Sequence, residues 1–299
     1  MFWYIRRKYV LHVCMFIILI LFFIVLYRNY FNKKKECEAF SQEHPFVLKE
    51  NKDIYDEFYV DKYDDLFKTD QYSESDFAIL KEHTKLNDSS VILDIGCGSG
   101  YLTRKLSENG YKVFGIENSI HMYEKCKKMD NNIEVFHCDV LNDSMKFDSE
   151  TFSQILCTHF TIYEIDDKKK LLEYCYFWLK KGGKLIIHVV EDNSFNKIVP
   201  KSAMYEIDNN NKVTNTVIKM SAYTYKNEFK NIEDNNLRQI ETFTTDKYTR
   251  QNEKLWLMIS KEEIIDIALQ IGFGDIKNIS YSEDMIKDKK QSLLIMTRV

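Results

Sequence analysis

Proline is scarce in this chain, with 2 residues in 299, and glycine numbers only 9. That composition excludes collagen-like and Pro/Gly-rich low-complexity architectures. The seven cysteines, Cys14, Cys37, Cys97, Cys126, Cys138, Cys157 and Cys175, are odd in number, and none is two residues from another. A zinc knuckle, a redox motif and a disulfide framework are therefore absent from the pattern, and free thiols of a reducing compartment remain. Net basic charge is confined to the N-terminus. Residues 1–35 hold seven Lys and Arg and no acid, so the net charge of −4 leaves −11 on residues 36–299. An acidic body offers no footprint for a phosphate backbone and argues against nucleic acid as the main partner. With 44% hydrophobic and 29% charged residues, the chain has the balance of an ordered globular protein.

One long apolar run stands out. Val10–Leu26 has only His12 as a polar residue, and Tyr9 and Tyr27 flank it. At 1.5 Å per residue such a run just spans a hydrocarbon core of about 30 Å. No small residue marks a cleavage site at its exit, which favours an uncleaved anchor over a signal peptide. Residues 1–35 are thus expected to be an N-terminal membrane anchor, spanning about 9–27 and crossing once. Lys and Arg on the two flanks nearly balance, with a slight bias that places the C-terminal side in the cytoplasm.

Residues 36–50 read as a polar linker, and 51–87 as helices that cap the domain. From Val91 onward, short β-branched runs alternate with helix-compatible stretches. The runs are Val91–Ile95, Lys112–Ile116, Ile133–His137, Phe152–Thr158 and Lys184–Val190. Between them lie Leu102–Asn109, Ser119–Lys128 and Lys168–Lys180. This alternation predicts an α/β fold, a doubly wound parallel sheet with helices on both faces. After Pro200 it breaks. Val213–Tyr225, Leu237–Thr245 and Leu255–Ile259 suggest a β-rich insertion at about 201–258. Ser260–Ile271 then reads as a helix, with Ser260 and Glu263 as a capping box and Gly272 as its stop. Ile276–Tyr281 and Ser292–Thr297 are expected to close the sheet as an antiparallel pair.

Three of the nine glycines, Gly96, Gly98 and Gly100, follow Val91–Ile95 directly, and Asp94 sits near the strand's end. A glycine turn after the first strand of a doubly wound sheet lies where such sheets bind nucleotides. Neither register matches G-x-G-x-x-G, since Tyr101 or Thr103 falls on the last position, and no Gly-Lys-Ser/Thr follows. Asp94 repels a pyrophosphate and attracts an ammonium or sulfonium. Glu117, 21 residues after Gly96, ends the second strand as a bidentate acceptor for two ribose hydroxyls. Asp139 ends the third, on the side of an adenine amine. Together they favour S-adenosyl-L-methionine over NAD.

The pattern resembles the class I S-adenosylmethionine-dependent methyltransferases. Asp94, Gly96, Gly98 and Gly100 match that family's first motif, Glu117 its ribose acid and Asp139 its adenine-side acid. Lys181-Gly182-Gly183 resembles its Pro-Gly-Gly turn, with Lys in place of Pro. The resemblance implies a Rossmann-like seven-stranded methyltransferase domain over 88–299, with Cys97, Asn118 and Val140 completing the cofactor contacts. Tyr55–Phe67, Cys157–Ile165 and Asn252–Met258 also look like segments of methyltransferase-like proteins of large DNA viruses. Nucleobase-modifying members carry Asn/Asp-Pro-Pro-Tyr/Phe after the fourth strand, where this chain has Cys157-Thr158-His159-Phe160. The expected acceptor is therefore a small molecule or a lipid, the latter held near the active site by the anchor. A scaffold at a membrane that kept the fold and lost catalysis is the alternative.

Candidates for the reacting side are His159, Tyr163 and Glu164, with His188, Glu191 and Asp192 after the next strand. His159 and Tyr163 are taken as catalytic, His159 as the base; His188, inside an apolar strand, reads as core. Tyr205, Tyr223, Tyr225, Phe229 and Trp256 are candidates for an acceptor pocket or simply core. No metal-binding pattern is present.

Overall fold

The computed structural model describes residues 19, 23, 45–67, 69–130, 133–142, 146–190, 204–207, 213–233, 236–281 and 291–299. The expected anchor lies almost wholly outside them, as do Glu191 and Asp192. Among the described residues no helix is long and apolar enough to cross a membrane. Contacts divide the chain into Met1–Phe46 with Asp246–Thr249, and Val47–Thr245 with Arg250–Val299. In the first, Thr249 donates its N–H to the Pro45 carbonyl at 2.9 Å. Apart from Phe46 and Thr249, the residues described below belong to the second.

Its centre is a seven-stranded sheet built from β2 (Val91–Ile95), β3 (Lys112–Glu117), β4 (Glu134–His137), β5 (Phe152–Cys157), β6 (Leu179–Val190), β12 (Phe273–Ser280) and β13 (Gln291–Arg298). The spatial order is β12-β13-β6-β5-β2-β3-β4. The pairs β6/β5, β5/β2, β2/β3 and β3/β4 are parallel. β13 inserts antiparallel between β6 and β12. The order reverses between β2 and β5, so the crevice at their C-terminal ends is where a ligand binds in an open α/β sheet.

Alternate residues of the central strands are buried on opposite faces, as a parallel sheet covered on both sides requires. Ile92, Leu156, Ile186 and Ile295 meet Phe77, Leu80, Leu102 and Leu106 of α2 (Thr69–His83) and α3 (Tyr101–Glu108). Leu93, Ile155, Leu185 and Leu294 meet Leu171, Trp178, Ile264 and Ala268 of α5 (Lys168–Trp178) and α6 (Lys261–Ile271). Two helices, α1 (Glu57–Phe67) and α4 (Ile120–Met129), complete the set. At α6 the Ser260 hydroxyl accepts the Glu263 N–H and the Glu263 carboxylate accepts the Ser260 N–H, closing a capping box.

The second sheet has six strands in the order β1-β11-β10-β9-β8-β7. They are β1 (Phe46–Glu50), β7 (Met204–Ile207), β8 (Val213–Lys219), β9 (Thr224–Asn231), β10 (Leu237–Thr244) and β11 (Thr249–Trp256). The sequence readings differ from it at three places. Phe46–Glu50, read as linker, is an edge strand, too short and too mixed in polarity to show a pattern. The stretch read as Val213–Tyr225 is two strands separated by a turn at residues 220–223. The strand read at Leu255–Ile259 is β11, displaced towards the N-terminus, because its buried face is polar. Arg250, Asn252, Lys254 and Trp256 all point inward, and no hydropathy pattern marks such a strand.

That polar face is hydrogen-bonded throughout, as burial demands. Glu241 accepts the hydroxyls of Tyr59 and Tyr225, each at 2.7 Å. Arg250 Nη1 donates to both oxygens of Asp56 at 2.8 Å, its Nε donates to Asn252, and its Nη2 donates to the Ile54 carbonyl. Trp256 Nε1 donates to Gln239, which in turn donates to Asn227.

Candidate active site

A cavity of about 240 Å³ opens at the C-terminal ends of β2, β3, β4 and β5. The turn after β2 forms its floor. Gly96 and Cys97 donate their N–H groups to the Ile116 carbonyl at 2.8 and 3.1 Å, and Gly100 donates to Cys97. Gly96 has φ +70°, and a Cβ there would sit 2.6 Å from the Thr161 methyl. Gly98 has φ +57° with open space where its side chain would be, so the backbone itself borders the cavity.

Glu117 locks this turn to the next strand. Its Oε2 accepts the Gly98 N–H at 2.9 Å and its Oε1 accepts the Ser119 N–H at 2.7 Å. A carboxylate has about four lone-pair directions, so two remain for a ligand. Burial raises its pKa, the two backbone donors work against that, and the Glu164 charge adds to it. Asp139 lines the cavity with Oδ1 accepting the Leu141 N–H at 3.0 Å and Oδ2 paired with Lys52 at 3.1 Å. Gly96, Gly98, Glu117, Asn118, Asp139, Val140 and His159 thus share one cavity wall.

The other expected residues point elsewhere. Asp94 is 2% exposed beneath the turn, and its Oδ2 accepts the Thr103 hydroxyl at 2.7 Å. It organises the first turn of α3 rather than lining the cavity. Burial pushes its carboxyl up to about 7, against the Thr103 hydrogen bond and with help from Glu117. Cys97 turns its thiol towards Cys126 and Gly115. Gly100 is needed for packing, since a Cβ there would lie 2.3 Å from Cys126 Sγ. Tyr163 is fully buried, and its hydroxyl accepts the Val190 N–H at 3.0 Å. The catalytic role read for it is corrected here. Thr161–Glu164 is a 3-10 turn, and its three-residue period puts Thr161 and Glu164, not Tyr163, on the cavity side. His188, Tyr225 and Trp256 are core. Tyr223 and Phe229 pack against apolar clusters rather than the cavity.

Several lining residues carry no motif. Lys52, Tyr55 and Tyr63 close the cavity from before β2, with Met122, Ile165 and Asp166 on its rim. The Tyr55 hydroxyl donates to both Glu164 oxygens at 3.1 Å. Buried Lys254 pairs with Glu164 at 2.5 Å, also donates to the Tyr55 hydroxyl, and lies over the Tyr55 and Trp256 rings. Asp64 of α1 accepts the Ser99 hydroxyl at 2.6 Å and pairs with Lys125 at 2.7 Å, clamping α1 onto the glycine turn. Charge pairing across about a hundred residues leaves no local signal.

Chemically, the wall is acidic: burial raises the Glu117 carboxyl and the Glu164 charge adds to it. A ligand with sulfonium and ammonium groups and two vicinal hydroxyls fits that donor and acceptor set. The sequence profile of the methyltransferase domain family matches residues 92–183, from β2 to the start of β6. Residues 92–183 are thus similar to methyltransferase domains. The cofactor is S-adenosyl-L-methionine.

Over 118 residues the chain is 37% identical to pavine N-methyltransferase of Thalictrum flavum subsp. glaucum, which covers 36% of this chain and 31% of that one. It is 32% identical over 125 residues to carboxy-S-adenosyl-L-methionine synthase of Vibrio atlanticus, covering 37% and 50%. The chain therefore spans half or less of the length of these two relatives. An S-adenosylmethionine-dependent methyltransferase of Clostridium acetobutylicum superposes with a TM-score of 0.59 at 17% identity, over 80% of this chain and 97% of that one. That likeness shows the fold over four-fifths of the chain.

Proposed function

We propose that this protein is a membrane-anchored S-adenosyl-L-methionine-dependent methyltransferase acting on a small-molecule or lipid acceptor. The observation that carries the reading is Glu117, which ties the glycine turn to β3 and keeps acceptor capacity facing the cavity. Gly98, Glu117 and Asp139 would hold the cofactor, which would supply a methyl group already activated on sulfur. The chain's task is alignment, which supplies on the order of 7–11 kcal/mol in well-oriented systems. An acceptor hydroxyl or ammonium also needs a base, and His159 is the imidazole on the cavity wall. The segments Tyr55–Phe67, Cys157–Ile165 and Asn252–Met258 support a viral origin for this variant of the fold.

Titration calorimetry of the full chain tests the cofactor. S-adenosyl-L-methionine and S-adenosylhomocysteine are expected to bind, and NADH and ATP to give no heat. Binding of NADH instead would overturn the assignment.

Val10–Leu26 supports the anchor. Alkaline carbonate extraction of membranes is expected to leave the full chain in the pellet and to release residues 36–299. A full chain that is itself released has no anchor.

A further inference from the structure

The cavity wall at His159 continues inward to a buried carboxylate that cofactor binding does not use. His159 has φ +51° and Phe160 has φ +66°, a left-handed pair that side-chain-bearing residues seldom adopt. Such strain concentrates at functional positions. Here it sends successive side chains apart: His159 lines the cavity, and Phe160 stacks on His188 in the core at 4.1 Å. The buried His159 Nε2 lies 4.0 Å from Oδ2 of Asp76 on α2. Asp76 is fully buried, and its Oδ1 accepts the Tyr281 hydroxyl. Among the described residues, His159 is the one basic side chain within ion-pair distance of Asp76. The Tyr72 ring packs on His159 at 5.2 Å and is itself pinned by a hydrogen bond to Gln291 at 3.2 Å.

A carboxylate left in a dry interior without a fixed cation is costly, and this one has its free oxygen towards a histidine at the cavity. We infer that Asp76 is a positioning residue for His159, holding Nε2–H towards the carboxylate so that Nδ1 takes the proton of a hydroxyl or ammonium acceptor. This rests on the methyltransferase reading. The acceptor's proton passes to Nδ1, the electrons of its former bond go to the new bond with the methyl carbon, and the carbon–sulfur pair leaves on sulfur. A spacing of 4.0 Å is longer than a hydrogen bond, and such contacts tighten when substrate arrives.

The groups facing the pair are Tyr72 from α2, Tyr281 after β12, His188 from β6 and Asp94 from β2. Burial pushes the Asp76 carboxyl up to about 7, the Tyr281 hydrogen bond opposes this, and Asp94 adds to it.

The test is the nitrogen NMR spectrum of the His159 side chain in the full chain without ligand. Calorimetry reports cofactor binding separately, so failure of that reading is distinguishable from failure of this one. Wild type is expected to show the Nε2–H tautomer alone. Asp76→Asn is expected to give mixed tautomers and a titration midpoint lower by about one pH unit, because the amide no longer favours the imidazolium. An unchanged tautomer and midpoint in Asp76→Asn would overturn the assignment. If Asp76→Asn does not fold, the wild-type spectrum decides alone, and an Nδ1–H tautomer sinks the idea.

Discussion

Glu117→Ala is expected to lower the affinity for S-adenosyl-L-methionine by roughly two to four orders of magnitude while the domain stays folded. Hydrogen bonds to a charged acceptor contribute about 1.5–3 kcal/mol each, and two ribose hydroxyls face one carboxylate. The loss has a second source. Without Glu117 the N–H groups of Gly98 and Ser119 lose their acceptor, so the turn is no longer held in the binding geometry. Glu117→Gln separates the two. Its amide oxygen still accepts one backbone N–H, but its NH2 meets the other N–H and cannot accept from a ribose. An intermediate loss is therefore expected for Glu117→Gln. Asp94→Asn is expected to cost much less, because Asp94 lies under the turn and its contact with Thr103 survives in the amide. Calorimetry on the three variants gives the ranking. An Asp94→Asn loss equal to that of Glu117→Ala would show that the carboxylate beneath the turn, not the one beside the ligand, governs binding.

The residues that carry this prediction were legible because their signal is local. An apolar run, three clustered glycines and an acid at each strand end are all read within a few positions, and parallel pairing brings those ends together. Local signals also misled. In the sequence Tyr163 and Glu164 are equivalent neighbours of His159, and only the 3-10 period separates the buried hydroxyl from the carboxylate that lines the cavity. Lys52, Tyr55, Tyr63 and Lys254 reach the cavity through tertiary packing, and each reads in isolation as an ordinary surface or core residue. Strand β11 hides for a related reason. Its inward residues are Arg250, Asn252 and Lys254, which become tolerable inside only because Asp56, Glu241 and Glu164 wait for them. The Asp76–His159 pair joins α2 to the end of β5, so no spacing rule could have found it.

The same buried carboxylates fix how stability depends on pH. Without ligand the protein is expected to be most stable near pH 4 and to lose stability as the pH rises to 7. Asp76 and Asp94 are each pushed up to about 7 by burial, against an ordinary value of 3.8. Between those values the unfolded chain has released a proton that the folded chain keeps. Stability therefore falls with rising pH, by about 1.4 kcal/mol per unit for each group. From pH 5 to 7 the two together remove roughly 5 kcal/mol, on the order of 10 °C in melting temperature. Above 7 both states are ionised and the decline stops. On the acid side the sign reverses. Burial pushes the Asp56 carboxyl up, but Arg250 outweighs it and holds the pKa below 3.8, so that contribution fades only as the pH drops past 3.8. Thermal melts at pH 5, 6, 7 and 8 give the profile, and Asp94→Asn should remove about half of the slope while keeping the Thr103 hydrogen bond. A level profile from pH 5 to 8 would mean that both carboxylates ionise in the folded chain without penalty. The cofactor brings positive charge to this acidic wall, so its stabilising effect should be larger at pH 8 than at pH 5. That difference ties the ionisation of the carboxylates beneath the site to the charge of the ligand above them.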